Sequence, residues 1–218
     1  VNRENHPIWN LMSKSIRQLA RHDQWALVRH FLALANEDRR LRFGATISDY
    51  AIRNYVASIN FDRDAVFGVL DSHLQLIAVL HLASEHGNAE LGVSVLQNHR
   101  DQGIGTSLLK RAKKHARNRG RHELLANCLT ENRPMMHLAR KTGMEITIDA
   151  AEAMACLNLM PADVSSQVSE TFEQRVAFFN HALKCRLAEA RYIAKGLAGG
   201  QNRRSPQRPN FLNVSAKP

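Results

Sequence analysis

Two glycines separated by one residue lie between a strand-like run and a helical pattern, and this arrangement constrains the fold more than any other feature of the sequence. Residues 92–106 read GVSVLQNHRDQGIGT, and Leu108, Leu109 and Ala112 then share one face of a helix. The start of such a helix presents unpaired backbone N–H groups and the positive end of its dipole, and glycines let a ligand approach the backbone closely. The segment therefore predicts an anion-binding loop.

Two other glycine-rich phosphate motifs are excluded by the residues of the same segment. The third glycine of a dinucleotide fingerprint would fall at Leu108, and no Gly-Lys-Ser or Gly-Lys-Thr follows, as a P-loop requires. On these residues alone, the alternative that Gly103 and Gly105 only shape a tight turn between strand and helix stays open.

The predicted elements place the loop inside one domain of mixed strands and helices. Strand-like runs lie at residues 11–20, 66–70, 75–82, 89–96, 123–127, 144–148 and 154–159. Helical patterns begin near Asp23 and Ser48, after the glycine loop, and at Pro134. Pro161 ends this pattern, so we expect the domain to span residues 11–160.

Two segments of this domain resemble the GNAT superfamily of N-acetyltransferases. Arg100, Gly103 and Gly105 are similar to the R/Q-x-x-G-x-G/A signature of the family, which also follows a strand. The matches to its N-x-x-A-x-x-L-Y-x-x-x-G-F stretch are Asn132, Leu138 and Gly143. The resemblance implies an α/β (α+β) fold with a mixed, mostly antiparallel central sheet flanked by helices. It also implies an enzyme that transfers the acetyl group of acetyl-CoA to an amine.

The resemblance further implies which residues bind acetyl-CoA. These are Val93, Val95, Arg100, Asp101, Gln102, Gly103, Ile104, Gly105, Thr106 and Asn132. Backbone N–H groups near Val93 and Val95 are expected to polarise the thioester carbonyl, as an oxyanion hole does. Ala139 stands where the family often carries a tyrosine that protonates the departing thiolate, so that acid is missing. The alternative of an acetyl-CoA sensor with little turnover therefore stays open.

A general base is expected because an alkylamine, with a pKa near ~10.4, arrives protonated at neutral pH. Glu90 opens the strand before the loop, where bacterial protein-lysine acetyltransferases of the superfamily carry a comparable glutamate. We therefore expect Glu90 to be the catalytic base, and its alternative is a solvated carboxylate. The fallback bases are His81, Glu85 and His86.

Residues 38–43 read DRRLRF and resemble the R-x-R-F segment of those protein acetyltransferases, which borders the acceptor entrance. Arg39, Arg40 and Arg42 are therefore expected to dock an acidic substrate or the CoA phosphates. The alternative is a solvated basic connector between two helices. With Glu90, this similarity favours protein lysine as the acceptor, while small amines stay open.

The tail after the domain carries most of the net charge. Residues 184–218 hold eight basic residues and one acid, so they account for most of the formal charge of +10. Nucleic acid is therefore not expected as a partner of the domain, and a contact between nucleic acid and the basic tail is the weaker alternative. Residues 166–197 predict an amphipathic helix whose apolar stripe is Val168, Phe172, Val176, Phe179, Leu183 and Leu187. We expect this stripe to pack on the domain or in a homodimer, with a partner's groove as the alternative, and residues 198–218 to be disordered.

Composition bounds the remaining function classes. No apolar run approaches the roughly 18 residues that cross a bilayer, and residues 1–10 lack the apolar stretch of a signal peptide. The 3 cysteines form no CxxC pair and the 11 histidines show no metal-ligand spacing, so neither a disulfide framework nor a metal site is expected. We expect a cytoplasmic protein.

Overall fold

The computed structural model describes residues 15–85 and 87–198, and it contains a seven-stranded sheet. The strands are β1 (Ile16–Leu19), β2 (Ala65–Leu70), β3 (Leu76–Glu85), β4 (Asn88–Val95), β5 (Glu123–Leu129), β6 (Glu145–Asp149) and β7 (Glu152–Asn158). The α-helices are α1 (Gln24–Leu32), α2 (Asn36–Phe43), α3 (Asp49–Ser58), α4 (Ile104–Asn118), α5 (Arg133–Lys141) and α6 (Val164–Ala198). The strand order is β1-β2-β3-β4-β5-β7-β6, and only β4 and β5 are parallel neighbours. The expected mixed, mostly antiparallel sheet flanked by helices is confirmed.

The sheet separates two apolar layers because successive strand residues point to opposite faces. Phe31 of α1 and Ile52 of α3 are buried with the residues that cover one face. Leu108 of α4 is buried with Phe67 and Leu80 in the layer on the other face. Strand β4 lies in the middle of the sheet, so its side chains point alternately toward these two layers.

Strands β4 and β5 are joined at one end only. Their parallel register consists of Ala89 with Leu124 and Glu90 with Leu125. Beyond Glu90 the two strands separate, although β4 continues to Val95. We call this separation the fork.

Helix α2 was not predicted, because its segment was interpreted as a connector. Only Leu41 and Phe43 are apolar among residues 36–43, which leaves no apolar face for a sequence pattern to reveal. The helix is favoured instead by acids in its first turn and bases in its last turn, which complement the dipole. It ends at Gly44, whose φ of 77° lies in the left-handed region.

Helix α6 packs on the domain through its polar side, so of the two positions predicted for its apolar stripe the one on the domain is wrong, and packing in a homodimer stays a prediction. The residues of α6 that are buried against the domain are Ser166, Glu170, Ala177 and Lys184. On α4, Arg111, His115 and Asn118 donate hydrogen bonds to the Glu170 carboxylate. The Lys184 ammonium donates to the carbonyl of Leu70 at 2.6 Å. Because the domain offers polar partners here, the carboxylate and the ammonium turn inward and the stripe turns outward.

The outward stripe is strongly exposed within the part of α6 whose side chains are described. Phe172 and Phe179 are each 68% exposed, and Val168 is 64% exposed. No helix within residues 15–85 and 87–198 is long and apolar enough to pass through a bilayer. Most of the predicted disordered tail, from residue 199 on, lies outside the described residues, as do His86 and residues 11–14 of the predicted first strand.

Candidate active site

Two cavities meet at the fork. The large cavity has a volume of about 800 Å³ and is lined by Tyr55, His81, Glu90 and Asn127, among others. The loop cavity, of about 490 Å³, follows the glycine loop and the start of α4. The residues that line both cavities are Leu41, Arg42, Val93, Asn132 and Met135. The two cavities are therefore adjacent, with Val93 of β4 between them.

The glycine loop presents the start of α4 to the loop cavity. Asp101 and Gly103 adopt left-handed backbone conformations, with φ of 59° and 74°. Among the described residues no side chain caps α4, so the first N–H groups of the helix are left for a ligand. A Cβ at Gly105 would meet only the Cδ2 atom of Leu138, at an ordinary 3.6 Å. Packing of the protein itself therefore does not require a glycine at this position.

The structure brings most of the predicted acetyl-CoA residues to one place. Those that line the loop cavity are Val93, Val95, Arg100, Asp101, Gly103, Ile104, Gly105, Thr106 and Asn132. Gln102 is exposed in the same loop but does not line the cavity. His137 and Lys141 of α5 line it as well, and their sequence context gave no signal of this role. Lys141 and Arg100 bring positive charge to the N-terminus of α4, which suits a phosphate ligand.

Two of these side chains are held by the protein. Arg100 pairs with Asp38 at 2.7 Å and donates from Nε to the Val95 carbonyl at 3.2 Å. Asn132 caps α5 by accepting from the Met135 N–H and donates to the Leu41 carbonyl, both at 3.1 Å. Arg100 is therefore held in place at the cavity, and Asn132 joins α5 to α2.

The backbone of β4 turns every second N–H group toward the fork. The Leu96 N–H donates to the Ile77 carbonyl at 2.9 Å, so the N–H of that residue faces β3. Because neighbouring residues of a strand direct their N–H groups to opposite edges, those of Val93 and Val95 face the fork. The two donors expected to polarise a thioester carbonyl therefore lie on the correct edge of the strand.

The predicted docking arginines do not form one strip. Arg39 binds the Asp49 carboxylate at 2.6 Å and the carbonyls of Leu32 and Leu34, so it joins α1, α2 and α3. Arg40 pairs with Glu37 and Glu131 on the surface. Of the three arginines, only Arg42 lines the cavities. Docking by this segment stays a prediction, and Arg42 is the side chain in the best position for it.

Arg42 lies at the junction of the two cavities. Its guanidinium covers Gly92 of β4 so closely that a Cβ at that position would overlap it. The guanidinium lies 5.0 Å from the ring centroid of Phe43 and 5.8 Å from those of Phe31 and Tyr55. Its Nη2 atom donates to the Tyr55 hydroxyl at 3.0 Å. Aromatic rings thus hold one positive charge beside the fork.

Glu90 lies at the apex of the fork, where the register between β4 and β5 ends. Its side chain is exposed, lines the large cavity and accepts a hydrogen bond from Asn127 at 3.1 Å. Asp149 and Glu152 line the same cavity, where Arg42 is the only Lys or Arg in the lining. Three carboxylates therefore favour a cationic acceptor in this cavity.

The fallback bases have different outcomes. His81 is buried in β3 and lines the large cavity. Burial, together with the positive charge of Arg42, lowers the pKa of His81 below its usual value. The side chain of Glu85 and all of His86 lie outside the description. In the described part of the chain, no three His, Cys, Asp or Glu side chains form a group that could hold a metal ion.

Solved structures that share this fold include N-acetyltransferases. The GNAT domain of S. lividans PAT aligns with a TM-score of 0.58 and 18% identity, over 66% of this chain and 89% of that one. A ribosomal-protein-alanine N-acetyltransferase from Brucella melitensis aligns with a TM-score of 0.53 and 20% identity, over 66% and 99%. A spermidine N-acetyltransferase from Vibrio cholerae, in complex with CoA and spermine, aligns with a TM-score of 0.52 and 18% identity, over 66% and 94%. These likenesses confirm the fold.

A sequence model of the acetyltransferase (GNAT) family matches residues 32–144. The match covers more than half of the 218 residues and includes the glycine loop, the fork and Arg42. The chain therefore belongs to the GNAT family, and it is an acyltransferase that takes the acetyl group from acetyl-CoA and transfers it to an amine.

Proposed function

We propose that the acceptor is the side-chain amine of a protein lysine. The observation that carries this proposal is the lining of the large cavity, which combines carboxylates with apolar side chains. Glu90, Asp149 and Glu152 attract an ammonium group, while Leu129 and Met154 suit the methylene stem of a lysine. The cavity meets the loop cavity at Val93, where the acetyl group would have to be presented.

In this proposal, the residues of the fork divide the chemistry. Glu90 removes the proton that an alkylammonium must lose before it can attack. The N–H groups of Val93 and Val95 stabilise the oxyanion that forms on the thioester carbonyl. The N-terminus of α4, with Arg100 and residues 101–106, binds the phosphates of the donor, while Asn132 holds the wall between the cavities.

Mass spectrometry tests the acceptor class directly. The protein is incubated with acetyl-CoA and, in parallel, with lysine-containing peptides, the same peptides with lysine replaced by arginine, and a polyamine. We expect acetylation at lysine side chains only. Product confined to the polyamine would overturn the lysine proposal. Binding of acetyl-CoA without product or CoA release in any arm would favour a sensor.

We also propose that α6 pairs with α6 of a second copy. Phe172, Val176, Phe179 and Leu183 are spaced four, three and four residues apart, which is the spacing of a coiled-coil seam. The opposite side of the helix is already bound to its own domain through Glu170 and Lys184. A second copy carries the same spacing, so the two stripes are complementary to one another.

The cellular compartment is proposed from the thiols. Cys128, Cys156 and Cys185 are all free. Burial raises the pKa of each thiol, so all three are held in the less reactive protonated form. Three unpaired thiols favour a reducing compartment, and we propose the cytoplasm.

A further inference from the structure

Three polar side chains form a hydrogen-bonded chain beside the large cavity. The Tyr55 hydroxyl of α3 lies 2.7 Å from Nδ1 of His81, and Nε2 of His81 lies 3.3 Å from Oδ2 of Asp64. The other oxygen of Asp64 accepts from Arg63 Nε at 2.9 Å and from the Ser84 N–H at 3.2 Å. The carboxylate is therefore fixed from several sides and points its second oxygen at the imidazole.

This chain runs from the interior to the reaction site. Asp64 and His81 are 7% and 9% exposed, whereas Tyr55 is only partly buried. His81 is the register partner of Gly92, so both residues face the same side of the sheet as Glu90. Tyr55 and His81 line the large cavity. Arg42, which donates to the Tyr55 hydroxyl, covers Gly92 and lines both cavities, so the hydroxyl lies next to their junction.

The charges around the chain fix its protonation. Burial and the positive charge of Arg42 lower the pKa of His81, and the carboxylate of Asp64 does not reverse this. Burial alone would raise the pKa of Asp64, but the hydrogen bonds from Arg63, Ser84 and His81 lower it. At neutral pH the imidazole is therefore neutral beside an ionised carboxylate. Its Nε2–H donates to Asp64, which leaves Nδ1 to accept the proton of the Tyr55 hydroxyl.

We propose that Tyr55 is a catalytic proton-transfer residue of this acetyltransferase, and that His81 and Asp64 are its positioning residues. The inference rests on the proposed transfer to a lysine amine. Ala139, where the family often carries its tyrosine acid, is 1% exposed in the apolar core of α5 and has no proton to give. Tyr55 supplies the missing hydroxyl from α3, in the lining of the large cavity.

The proton balance of the step is complete without another reactant. Glu90, which is exposed, passes the first proton of the ammonium to solvent. After the neutral amine attacks, the new C–N bond leaves an excess proton on nitrogen, and breakage of the C–S bond leaves a thiolate that needs one. The Tyr55 hydroxyl accepts the proton from nitrogen as it gives its own to Nδ1 of His81. In the reverse shift, Nδ1 of His81 returns its proton to the Tyr55 oxygen as the hydroxyl gives its proton to the thiolate sulfur. Asp64 stabilises the imidazolium that exists between the two shifts.

The kinetic test compares two tyrosines of the same helix. Tyr55→Phe keeps the ring that packs on Phe31 and Phe43 but removes the hydroxyl. Tyr50→Phe is the matched control, because Tyr50 is 73% exposed on the same helix. With acetyl-CoA and a lysine peptide, we expect kcat of Tyr55→Phe to fall by roughly 100-fold, with KM for acetyl-CoA within about twofold of wild type. Tyr50→Phe should match wild type in both constants.

The pH profile separates proton transfer from a packing role. Charged groups that face the chain are Arg42 from α2, Arg63 and Asp64 before β2, and Glu90 from β4. Protonation of His81 at acid pH removes the acceptor for the phenol proton, so wild-type kcat should fall there, below the usual pKa of histidine. His81→Gln and Tyr55→Phe should each lose this acid limb. The double variant should be no slower than either single variant, because both act in one relay.

Nitrogen NMR of the histidines gives a readout that needs no acceptor. His81, assigned by its loss in His81→Gln, should be neutral at pH 7 with its proton on Nε2. A protonated ring or the Nδ1–H tautomer would overturn the inference, as would a Tyr55→Phe variant with wild-type kcat beside an active wild type. If the wild type transfers no acetyl group to any acceptor, the proposed function fails, and the role of Tyr55 fails with it.

Discussion

Replacement of Glu170 by glutamine should detach the main anchor between α6 and α4. The Glu170 side chain is 11% exposed and pairs with Arg111 at 2.7 Å and with His115 at 2.6 Å. Burial alone would raise the pKa of this carboxyl, but the hydrogen bonds from His115, Arg111 and Asn118 lower it from 4.5 to about 2. At about 1.4 kcal/mol per unit, this shift corresponds to roughly 3 kcal/mol in favour of the folded, ionised form.

The expected loss of unfolding free energy in Glu170→Gln is therefore about 2–3 kcal/mol at pH 7. The Glu173 carboxylate lies 3.8 Å from Arg111 and remains as a partner of this guanidinium in the variant. The loss of unfolding free energy should therefore not exceed about 3 kcal/mol. Because the pKa is lowered on folding, the stabilisation is complete above pH 4.5 and disappears as the pH falls toward 2.

Urea unfolding at a series of pH values measures this effect. The matched control is Glu173→Gln, whose carboxylate is 44% exposed and pairs with Lys114 at the surface. The unfolding free energy of the control should lie within about 0.5 kcal/mol of the wild-type value, because exposed ion pairs usually contribute little to stability. A difference between Glu170→Gln and wild type that is below about 0.5 kcal/mol at pH 7, or that does not shrink between pH 5 and pH 3, would refute this account of how α6 is held.

Three further predictions concern the site and the dimer. Saturating acetyl-CoA should raise the Tm of wild type but not of a folded Gly105→Val variant, since a branched side chain blocks the start of α4; an equal shift in both would make the loop only a turn. Glu90→Gln should lower kcat by roughly 100-fold, with part of the loss recovered at high pH where more free amine exists; wild-type kcat across the pH range would exclude Glu90 as the base. Phe179→Glu should halve the mass measured by light scattering, whereas Phe178→Glu, a phenylalanine 72% exposed and off the seam, should not; a wild-type monomer would overturn the dimer.

Much of the fold could be predicted because alternation and glycine positions are local signals. The strands from β2 to β7 and the loop before α4 each carry their own local pattern. The succession of these elements along the sequence can therefore be predicted without the structure. Ser48 also acts as predicted, since its hydroxyl accepts from the Ala51 N–H at 3.2 Å at the start of α3. Helix α2 has no such apolar pattern, and it forms because its charges and neighbours favour it.

The orientation of α6 could not be predicted for a different reason. A periodic pattern tells which side chains share a face, but not which neighbouring surface meets that face. The apolar stripe is the stronger signal in the sequence, yet the domain offers Arg111 and the Leu70 carbonyl to the polar side. Which face turns inward thus depends on residues more than 50 positions away along the chain, as with Arg111 and Glu170, which are 59 apart.

The candidate site shows the same difference between local signals and contacts that are distant in sequence. The residues of the glycine loop could be predicted because they are contiguous, and nearly all of them line one cavity. The chain of Tyr55, His81 and Asp64 could not, because Tyr55 and His81 are 26 residues apart and His81 and Asp64 are 17 apart, with Tyr55 on α3, His81 on β3 and Asp64 just before β2. In the sequence, Tyr55 reads as one more apolar residue of a helix, and only the folded sheet places its hydroxyl beside an imidazole.

The contact between Arg42 and Gly92 has a consequence for how this enzyme can evolve. Any side chain at residue 92 would displace the guanidinium, which is the far end of a flexible side chain and can move aside. A substitution at Gly92 should therefore reposition Arg42, although 49 residues separate the two. Because Arg42 also forms part of the wall between the two cavities, such a change should alter the range of accepted amines. New acceptor specificity is thus open to this scaffold through one substitution at Gly92, without any change to the glycine loop.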